Sequence, residues 1–210
     1  MKNIIGVFAI ALGLVGLIVF TNSDSLAIEN GGDLMEEMPE GYPKAYLAGG
    51  CFWCTEYEYR ALDGVLYTRV GYMGGHVDNP TYRQVTTGNT GHAEVIEVTF
   101  NPNIVTYEDL LEFFLTEGHD PTQLNRQGVD VGTQYRSAIF PVTEEQETLA
   151  RAVIERIEAQ KVHDKPIVTK IEPIATFWVA EGYHQQYYEK YQDANGAPHI
   201  RVIMKQGKKK

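Results

Sequence analysis

The chain has 210 residues, of which 43% are hydrophobic and 11% aromatic, so it is long enough and apolar enough for one folded domain with a core. Its formal net charge is −10 at pH 7. Nucleic-acid binding needs a basic surface that neutralises phosphates, so this charge argues against a nucleic-acid partner. We predict a single globular domain and, since no surplus of apolar surface is evident, a monomer.

An apolar segment stands at the N-terminus. Residues 4–20 are uncharged and almost wholly apolar, and they follow closely on Lys2. The run is longer than the usual core of a signal peptide, about 7 to 15 residues, and lies at the short limit of a spanning helix, so it predicts either a cleaved signal peptide or an uncleaved membrane anchor. Ser25-Leu26-Ala27 resembles a signal-peptidase site. Positive charge before the run and acids after it predict a domain outside the cytoplasm, in the periplasm or at the cell surface.

The composition divides the chain into four parts. Residues 1–27 hold the signal or anchor, and residues 28–43 are rich in Gly, Glu, Met and Pro without an apolar period, which is typical of a mobile acidic linker. The folded domain is predicted at 44–204, and a basic tail at 205–210 follows it. That tail is too short to indicate a nucleic-acid partner.

Strands and helices alternate through the predicted domain. In chain order the elements are a buried strand at 45–48, a helix at 55–60, a strand at 65–72, a short helix at 79–85, a strand at 92–100, a helix at 106–117, a strand at 137–142, a helix at 143–159, a strand at 168–174, a helix at 180–191 and an extended stretch at 199–204. The polar stretch 119–135 has no period, and loops of this length in compact domains are usually functional. The alternation predicts an α/β (α+β) two-layer sandwich, with helices flanking a mixed β-sheet in a ferredoxin-like arrangement.

Both cysteines of the chain lie in one short stretch, Gly49-Gly50-Cys51-Phe52-Trp53-Cys54, between the first predicted strand and helix. The glycine pair allows a sharp turn, and Cys51 then stands at a helix N-terminus. Unpaired backbone N–H groups and the helix dipole favour a thiolate there, which predicts a lowered pKa for Cys51. Cys54 is one turn further on the same face, within reach of a disulfide.

Three mechanisms fit a cysteine pair at this spacing. They are a thioredoxin-like dithiol, half of a zinc site, and a nucleophile with its resolving partner. A structural role is disfavoured, because two cysteines three apart close too small a loop to stabilise a fold. Zinc is also disfavoured, because no second pair exists and the six histidines are scattered. Phe52 and Trp53 stand where a dithiol motif has small or polar residues, and they predict one wall of an apolar pocket.

Four polar residues at strand ends and in loops are further candidates. Glu94 follows a glycine loop at the start of a strand, where an apolar setting would keep it protonated as an acid. Tyr82 and Tyr135 are possible hydroxyl donors to a ligand oxygen, and Asp130 lies in the long loop. From spacing alone each also fits an ordinary surface, packing or turn role. The pattern around His184 predicts an ordinary helix residue whose hydrogen bonds are satisfied.

Six blocks of sequence strengthen these separate signals. They are Gly50-Cys51-Phe52-Trp53, Asn79-Pro80-Thr81-Tyr82, Thr90-Gly91-His92-Ala93-Glu94, His119-Asp120-Pro121, Gly132-Thr133-Gln134-Tyr135-Arg136-Ser137 and Tyr183-His184-Gln185. In this order and spacing they resemble the peptide methionine sulfoxide reductase A family. The resemblance covers roughly residues 46–191 and implies an α/β two-layer sandwich and an enzyme that needs no cofactor and no metal.

The resemblance implies a role for each block. Cys51 matches the nucleophile that attacks the sulfur of methionine S-sulfoxide, and Glu94 matches the acid that protonates the sulfoxide oxygen. Phe52 and Trp53 match the pocket for the S-methyl group. A sulfoxide sulfur is a poor electrophile until its oxygen accepts a proton, so thiolate and acid must act on the two atoms of one S–O bond.

Three other matched positions complete the site that the resemblance implies. Tyr82 and Tyr135 match phenols that hold the sulfoxide oxygen, and Asp130 matches a supporting carboxylate. The chain departs from the commoner pattern after the Phe-Trp pair, where Cys54 replaces a glycine, and no cysteine follows in the C-terminal part. We therefore expect Cys54 to resolve the sulfenic acid formed on Cys51, giving a disulfide that an external thioredoxin-like dithiol reduces. A general dithiol exchanger and a tethered module that binds methionine sulfoxide without reducing it are the rival functions.

Overall fold

The computed structural model of the protein describes residues 37–202. The predicted signal or anchor, most of the acidic linker and the basic tail therefore lie outside the described residues. Between residues 37 and 202, no helix is both long and apolar enough to cross a membrane.

The described residues form helices and strands in the following order. They are β1 (Lys44–Gly49), α1 (Phe52–Arg60), β2 (Val65–Met73), α2 (Tyr82–Val85), β3 (Ala93–Phe100), α3 (Tyr107–Phe113), β4 (Arg126–Gln127), β5 (Asp130–Val131), β6 (Ser137–Ile139), α4 (Glu144–Ala159), β7 (Lys170–Ile171), β8 (Trp178–Val179) and α5 (Tyr187–Asn195). Short turns of other helix types occur at Phe114–Gly118, Thr133–Tyr135 and Gly182–His184.

Six strands form the main sheet in the order β7-β6-β1-β3-β2-β8. Neighbouring strands are antiparallel except β6 and β7, which are parallel. The long strands β1, β2 and β3 occupy the middle, so β3 is hydrogen-bonded on both sides. This mixed sheet with helices packed against it confirms the predicted α/β fold with a mixed sheet and flanking helices.

Alternate residues of β3 point to opposite faces of the sheet, as the pleat of a strand requires. Ile96, Val98 and Phe100 belong to a buried cluster with Leu110 of α3 and Val153 of α4. The helices therefore cover this face. Residue 94 has the same parity, so its side chain points to the face where the helices pack.

The caps of two helices follow the sequence closely. The Thr106 hydroxyl accepts the Asp109 N–H and the Asp109 carboxylate accepts the Thr106 N–H, which together form a capping box at the start of α3. The Thr143 hydroxyl accepts the Gln146 N–H at the start of α4. Each cap satisfies N–H groups that the first helical turn leaves unpaired.

Two predicted elements are shorter or less regular than expected. The helix predicted at 106–117 ends as an α-helix at Phe113 and continues as a wider π-type turn, where the His119 ring bonds the Phe114 carbonyl at 2.7 Å. The strand predicted at 168–174 pairs only at Lys170–Ile171, because β6 is three residues long and the Val168 N–H bonds the Pro121 carbonyl instead.

The predictions of a helix at 180–191 and of an extended stretch at 199–204 were wrong in detail. A break at Gln186, in the left-handed conformation with φ 53°, separates the Gly182–His184 turn from α5. The buried Glu56 carboxylate accepts the Gln186 N–H at 2.6 Å, and this hydrogen bond stabilises the left-handed conformation of Gln186. The stretch 199–204 was expected to be extended, but its described part is helical at 200–202.

The polar loop 119–135 contains the β4–β5 hairpin and a 3₁₀ turn.

Candidate active site

Cys51 is the N-cap residue of α1. Its carbonyl accepts the N–H groups of Cys54 at 3.0 Å and Thr55 at 3.3 Å, which begins the helix. Gly50 turns the chain from β1 into α1 with φ +93°, and a Cβ at that position would lie 2.5 Å from the Gln127 side chain. The predicted turn and the predicted helix N-terminus are both present, and they place Cys51 in a buried position at the end of the sheet.

The pKa of Cys51 contradicts the sequence prediction, because it is raised well above its ordinary value. The hydrogen bond between Cys51 and Cys54 favours the protonated Cys51 thiol, burial acts in the same direction, and so does the charge of Glu94 once that carboxyl is ionised. The Trp53 N–H at the helix N-terminus opposes the rise. One helix N-terminus therefore does not outweigh a neighbouring thiol, burial and a carboxylate.

Glu94 lies on β3 with only 2% of its surface exposed. Its Oε2 accepts the backbone N–H of Phe52 at 3.0 Å, so the carboxyl is held against the first residue of α1. Burial raises the pKa of Glu94 to about 8, with contributions from Asp130 and Cys54, while the Phe52 N–H and Arg201 lower it. At neutral pH this carboxyl holds its proton and can act as an acid.

An aromatic cluster surrounds the start of α1. The Phe52 ring is buried, with ring-centre distances of 5.0 Å to His184, 5.9 Å to Tyr72 and 6.5 Å to Tyr82. Trp53 is partly exposed and stacks on Tyr187 of α5 at 3.8 Å. The two rings thus form an apolar surface beside Cys51, with Phe52 as its buried base and Trp53 at its rim.

Tyr82 and Tyr135 come together beside the cysteine and the carboxyl. The Tyr135 hydroxyl donates to the Tyr82 oxygen. Burial raises the pKa of both phenols, and the charges of Glu94 and Cys51 raise it further. Both hydroxyls therefore keep their protons at neutral pH and are available as donors.

Asp130 reaches the site from β5 of the small hairpin. Its two oxygens pair with the guanidinium of Arg201 at 2.9 and 3.0 Å. Asp130 raises the pKa of Glu94 and of Tyr135, whereas Arg201 lowers that of Glu94. Asp130 is thus close enough to the acid to act on it electrostatically, and Arg201 offsets that effect.

Several residues of the site were not predicted. His184 is fully buried, and its Nδ1 accepts the Trp53 indole N–H at 3.0 Å. Burial lowers the pKa of His184 to about 4, so the ring is neutral and orients Trp53 as an acceptor. Glu181 accepts the Tyr72 hydroxyl and the Tyr82 N–H, both at 2.9 Å. The sequence signals near these contacts were the Tyr183-His184-Gln185 block and the density of Tyr, His and Gln in 180–191.

Cys54 lies on α1 within hydrogen-bonding contact of Cys51, and both thiols are reduced. The Tyr188 hydroxyl of α5 is 3.4 Å from the Cys54 sulfur. Neither Tyr188 nor Arg201 was predicted, because each lies far from the cysteines in the sequence.

The structure brings all the predicted site residues to one end of the sheet. Cys51, Cys54, Phe52 and Trp53 come from the start of α1, while the others come from α2, β3, the hairpin and the 3₁₀ turn after it. Among residues 37–202, no group of three or more His, Cys, Asp or Glu side chains could hold a metal ion. A buried thiol next to a protonated carboxyl, two phenol donors and an apolar ring surface can bind and protonate an oxygen on a small apolar group.

Comparison with known proteins agrees with this chemistry. The family model described as peptide methionine sulfoxide reductase matches residues 43–210. The peptide methionine sulfoxide reductase of Deinococcus radiodurans is 58% identical over 146 residues, which cover 70% of each chain. The reductase of Acidobacterium capsulatum is 56% identical over 147 residues, covering 70% of this chain and 94% of that one.

Solved structures are similar over the same region. Reduced Mxr1 from Saccharomyces cerevisiae has a TM-score of 0.69 at 35% identity, covering 80% of this chain and 93% of Mxr1. Mxr1 in complex with Trx2 has a TM-score of 0.51 at 27% identity, covering 74% and 91% of the two chains. The chain therefore belongs to the peptide methionine sulfoxide reductase family, and it is an enzyme that reduces methionine sulfoxide.

Proposed function

We propose that the protein reduces methionine S-sulfoxide in proteins and peptides through a thiol mechanism carried by the residues around Cys51. In the first step the Cys51 sulfur attacks the sulfoxide sulfur while Glu94 gives its proton to the sulfoxide oxygen. The S–O bond of the substrate breaks, the oxygen passes as hydroxyl to the Cys51 sulfur, methionine leaves, and Cys51 becomes a sulfenic acid. The proton lost by the Cys51 thiol restores the Glu94 carboxyl, so a thiol and a sulfoxide become a sulfenic acid and a thioether.

The position of Glu94 is the observation that carries this proposal. A carboxyl group that is buried, holds its proton at neutral pH and bonds the N–H of the residue next to Cys51 is suited to protonate an oxygen on an atom that Cys51 attacks. Before the transfer, the protonated carboxyl carries no negative charge that would disfavour a Cys51 thiolate.

The other side chains of the site position the substrate. Phe52 and Trp53 receive the S-methyl group on their apolar surface. Tyr82 and Tyr135 donate hydrogen bonds to the sulfoxide oxygen, where negative charge concentrates. Asp130 supports the site by acting on the neighbouring Glu94 and Tyr135.

In the second step Cys54 resolves the sulfenic acid. Its sulfur attacks Cys51, a disulfide forms and the hydroxyl leaves as water. The contact between the two thiols supports this step. A thioredoxin-like dithiol then reduces the disulfide, as the complex of the related Mxr1 with Trx2 suggests for that enzyme.

We further propose that the enzyme acts outside the cytoplasm, as a monomer, on oxidised exported proteins. The apolar run 4–20, followed by acidic residues, supports export or anchoring of the chain. Fractionation of cells that express the full chain, with protease added to intact cells or spheroplasts, tests this location. Full protection from the protease would contradict it.

A single turnover tests the mechanism. Reduced protein is mixed with a methionine sulfoxide peptide without reductant, and methionine, free thiols and intact mass are followed. We expect about one equivalent of methionine, loss of both thiols and a mass decrease of about two hydrogens. Methionine with a free Cys54 and an added oxygen on Cys51 would refute the resolving role. Absence of methionine with efficient reduction of protein disulfides would favour a dithiol exchanger instead.

A further inference from the structure

Tyr188 of α5 lies against the second cysteine of the site. Its hydroxyl oxygen is 3.4 Å from the Cys54 sulfur, within the range of a hydrogen bond to sulfur, and the residue is 2% exposed. Tyr188 has no role in the mechanism proposed for Cys51 and Cys54, although its hydroxyl touches a reacting sulfur.

Packing fixes the Tyr188 ring in this position. The His199 ring stacks on it at 5.0 Å with an interplanar angle of 26°. Trp53 and Tyr57 of α1 meet it edge-on at 6.3 and 5.9 Å. The hydroxyl is therefore aimed at Cys54 without a further loss of side-chain freedom when the cysteine reacts.

The hydroxyl of Tyr188 keeps its hydrogen under working conditions and can donate it to the Cys54 sulfur. Burial raises the pKa of Tyr188 above its ordinary value, and the nearby Cys54 raises it further, so the phenol stays protonated. A Cys54 thiol can donate or accept, whereas a Cys54 thiolate can only accept. Hydrogen bonds to a charged acceptor are stronger than those to a neutral one, so the Tyr188 contact favours the thiolate.

Cys54 depends on this contact most after the first step. In the reduced protein the two thiols are hydrogen-bonded to each other. Once Cys51 has become a sulfenic acid, its sulfur carries a hydroxyl instead of a hydrogen, so this thiol–thiol contact is replaced. The Tyr188 hydroxyl then keeps its place beside Cys54 at the moment when Cys54 must act as nucleophile.

We propose that Tyr188 is a further catalytic residue, which holds the Cys54 sulfur towards Cys51 and donates a hydrogen bond to its thiolate during resolution. The proposal rests on the role of Cys54 as resolving thiol. In that step the S–S bond forms, the S–O bond of the sulfenic acid breaks, and the hydroxyl leaves as water with a proton. The charged and titratable groups around the pair include Cys51 and Glu94 in the site, the phenols of Tyr57 and Tyr187 against the Tyr188 ring, and His199 and Arg201 beyond α5.

The test compares the full-length wild type with Tyr188→Phe and the control Tyr191→Phe. Tyr191 is also on α5 and contacts His199 at 4.9 Å, but it has no cysteine contact in the described structure. Each reduced protein undergoes a single turnover with a methionine sulfoxide peptide from mildly acidic to mildly alkaline pH. Rapid quenching with a thiol-alkylating reagent gives two rates, methionine formation and disulfide formation, and a sulfenic-acid trap measures the intermediate.

We expect Tyr188→Phe to form methionine within about twofold of the wild-type rate but to form the disulfide about tenfold more slowly, with accumulation of sulfenic acid. The pH dependence of disulfide formation should move to higher pH, because the thiolate has lost a donor. Tyr191→Phe should match the wild type in both rates.

Three results would overturn the proposal. An unchanged rate and pH dependence of disulfide formation in Tyr188→Phe would show that the hydroxyl has no role. Equal slowing of both steps would show that Tyr188 only supports the structure of the site. Wild-type protein that forms methionine but no disulfide would instead refute the resolving role of Cys54, and the proposal would fail with it.

Discussion

Glu94 shows how a single position acquires its chemistry from its surroundings. Its side chain is on the helix-covered face of β3, where burial disfavours the carboxylate, and one backbone N–H from Phe52 orients it. The same burial that makes the residue an acid makes it costly for the fold when it ionises. Activity and stability therefore depend on the same proton.

Replacement of Glu94 by Gln tests its role as acid. The amide keeps the shape and the acceptor for the Phe52 N–H, but it has no proton to transfer. We expect single-turnover methionine formation to fall about 100-fold or more, the usual contribution of a general acid. Loss of less than about tenfold, with the thiols reduced and the fold intact, would contradict this role.

The stability of the protein should depend on the same group. The pKa of Glu94 is raised from 4.5 to about 8 in the folded state, so between these values the folded protein binds a proton that the unfolded chain has lost. The free energy of unfolding should therefore fall as pH rises through this window and level off above it. Glu56, with a pKa raised to about 7 chiefly by burial, acts in the same direction.

Denaturant unfolding of the wild type and Glu94→Gln over a pH series measures this dependence. The variant should show a shallower fall, by up to about one bound proton, because Glu56 alone still contributes. Identical slopes in the two proteins would contradict a buried, protonated Glu94.

Among the elements, the β4–β5 hairpin and the helical turn at 200–202 are joined near Glu94. Asp130 and Arg201 join them through two hydrogen bonds, and Val202 beside Arg201 is buried. The pair brings one negative and one positive charge close to Glu94. Its two members shift the pKa of Glu94 in opposite directions.

Breaking the pair from either side should move the pH profile in opposite directions. Arg201→Gln leaves the negative charge of Asp130 uncompensated. The pKa of Glu94 should then rise, and the decline of the rate at high pH should begin at a higher pH than in the wild type. Asp130→Asn leaves the positive charge of Arg201 uncompensated, so the decline of the rate should begin at a lower pH. Single-turnover rates against pH measure both, and shifts in the same direction would contradict the electrostatic role.

The turn from β1 into α1 depends on one glycine. Gly50 has φ +93°, and a Cβ there would come within 2.5 Å of Gln127. Gly50→Ala should lower the free energy of unfolding by about 2 kcal/mol or more through strain and overlap. Gly128→Ala is a matched control, since it has φ 61° and open space around it, so its cost should stay near about 1 kcal/mol. Equal costs in denaturant unfolding would contradict the overlap.

At the scale of the whole molecule, the two faces of β3 carry side chains with different roles, one in the reaction and one in stabilising the fold. Glu94 points to the helix face, whereas Glu97, three residues on, points to the other face. There its carboxylate accepts from Arg69 at 2.8 Å, from the Tyr46 hydroxyl at 2.5 Å and from Lys44 at 3.4 Å. One strand thus carries an acid for the reaction and, on its other face, a carboxylate that joins side chains of the fold.

Glu97→Gln should separate the two functions. The loss of a buried ion pair should lower the free energy of unfolding by about 1 to 3 kcal/mol. The rate of methionine formation should stay within about twofold, because the sheet lies between residue 97 and the site. A stable variant with a large loss of rate would contradict this separation.

Much of the fold was predictable because local patterns and tertiary contacts agree. Alternation identified β3, and Thr106 with Asp109 identified the start of α3. The disagreements occur where a distant group takes over a backbone hydrogen bond. Glu56 takes the N–H of Gln186 and breaks the predicted helix, a contact between residues 130 apart that no local pattern contains.

The sequence alone determined the family and the fold class and predicted a set of site residues, because these depend on motifs whose order and spacing are written in the chain. Only the tertiary structure decided how those residues behave. The pKa of Cys51 is raised rather than lowered, because Cys54, burial and Glu94 together outweigh the helix N-terminus. His184, Tyr188 and Arg201 join the site for the same reason: burial and proximity are properties of the folded chain, and they set the energies of charges and hydrogen bonds.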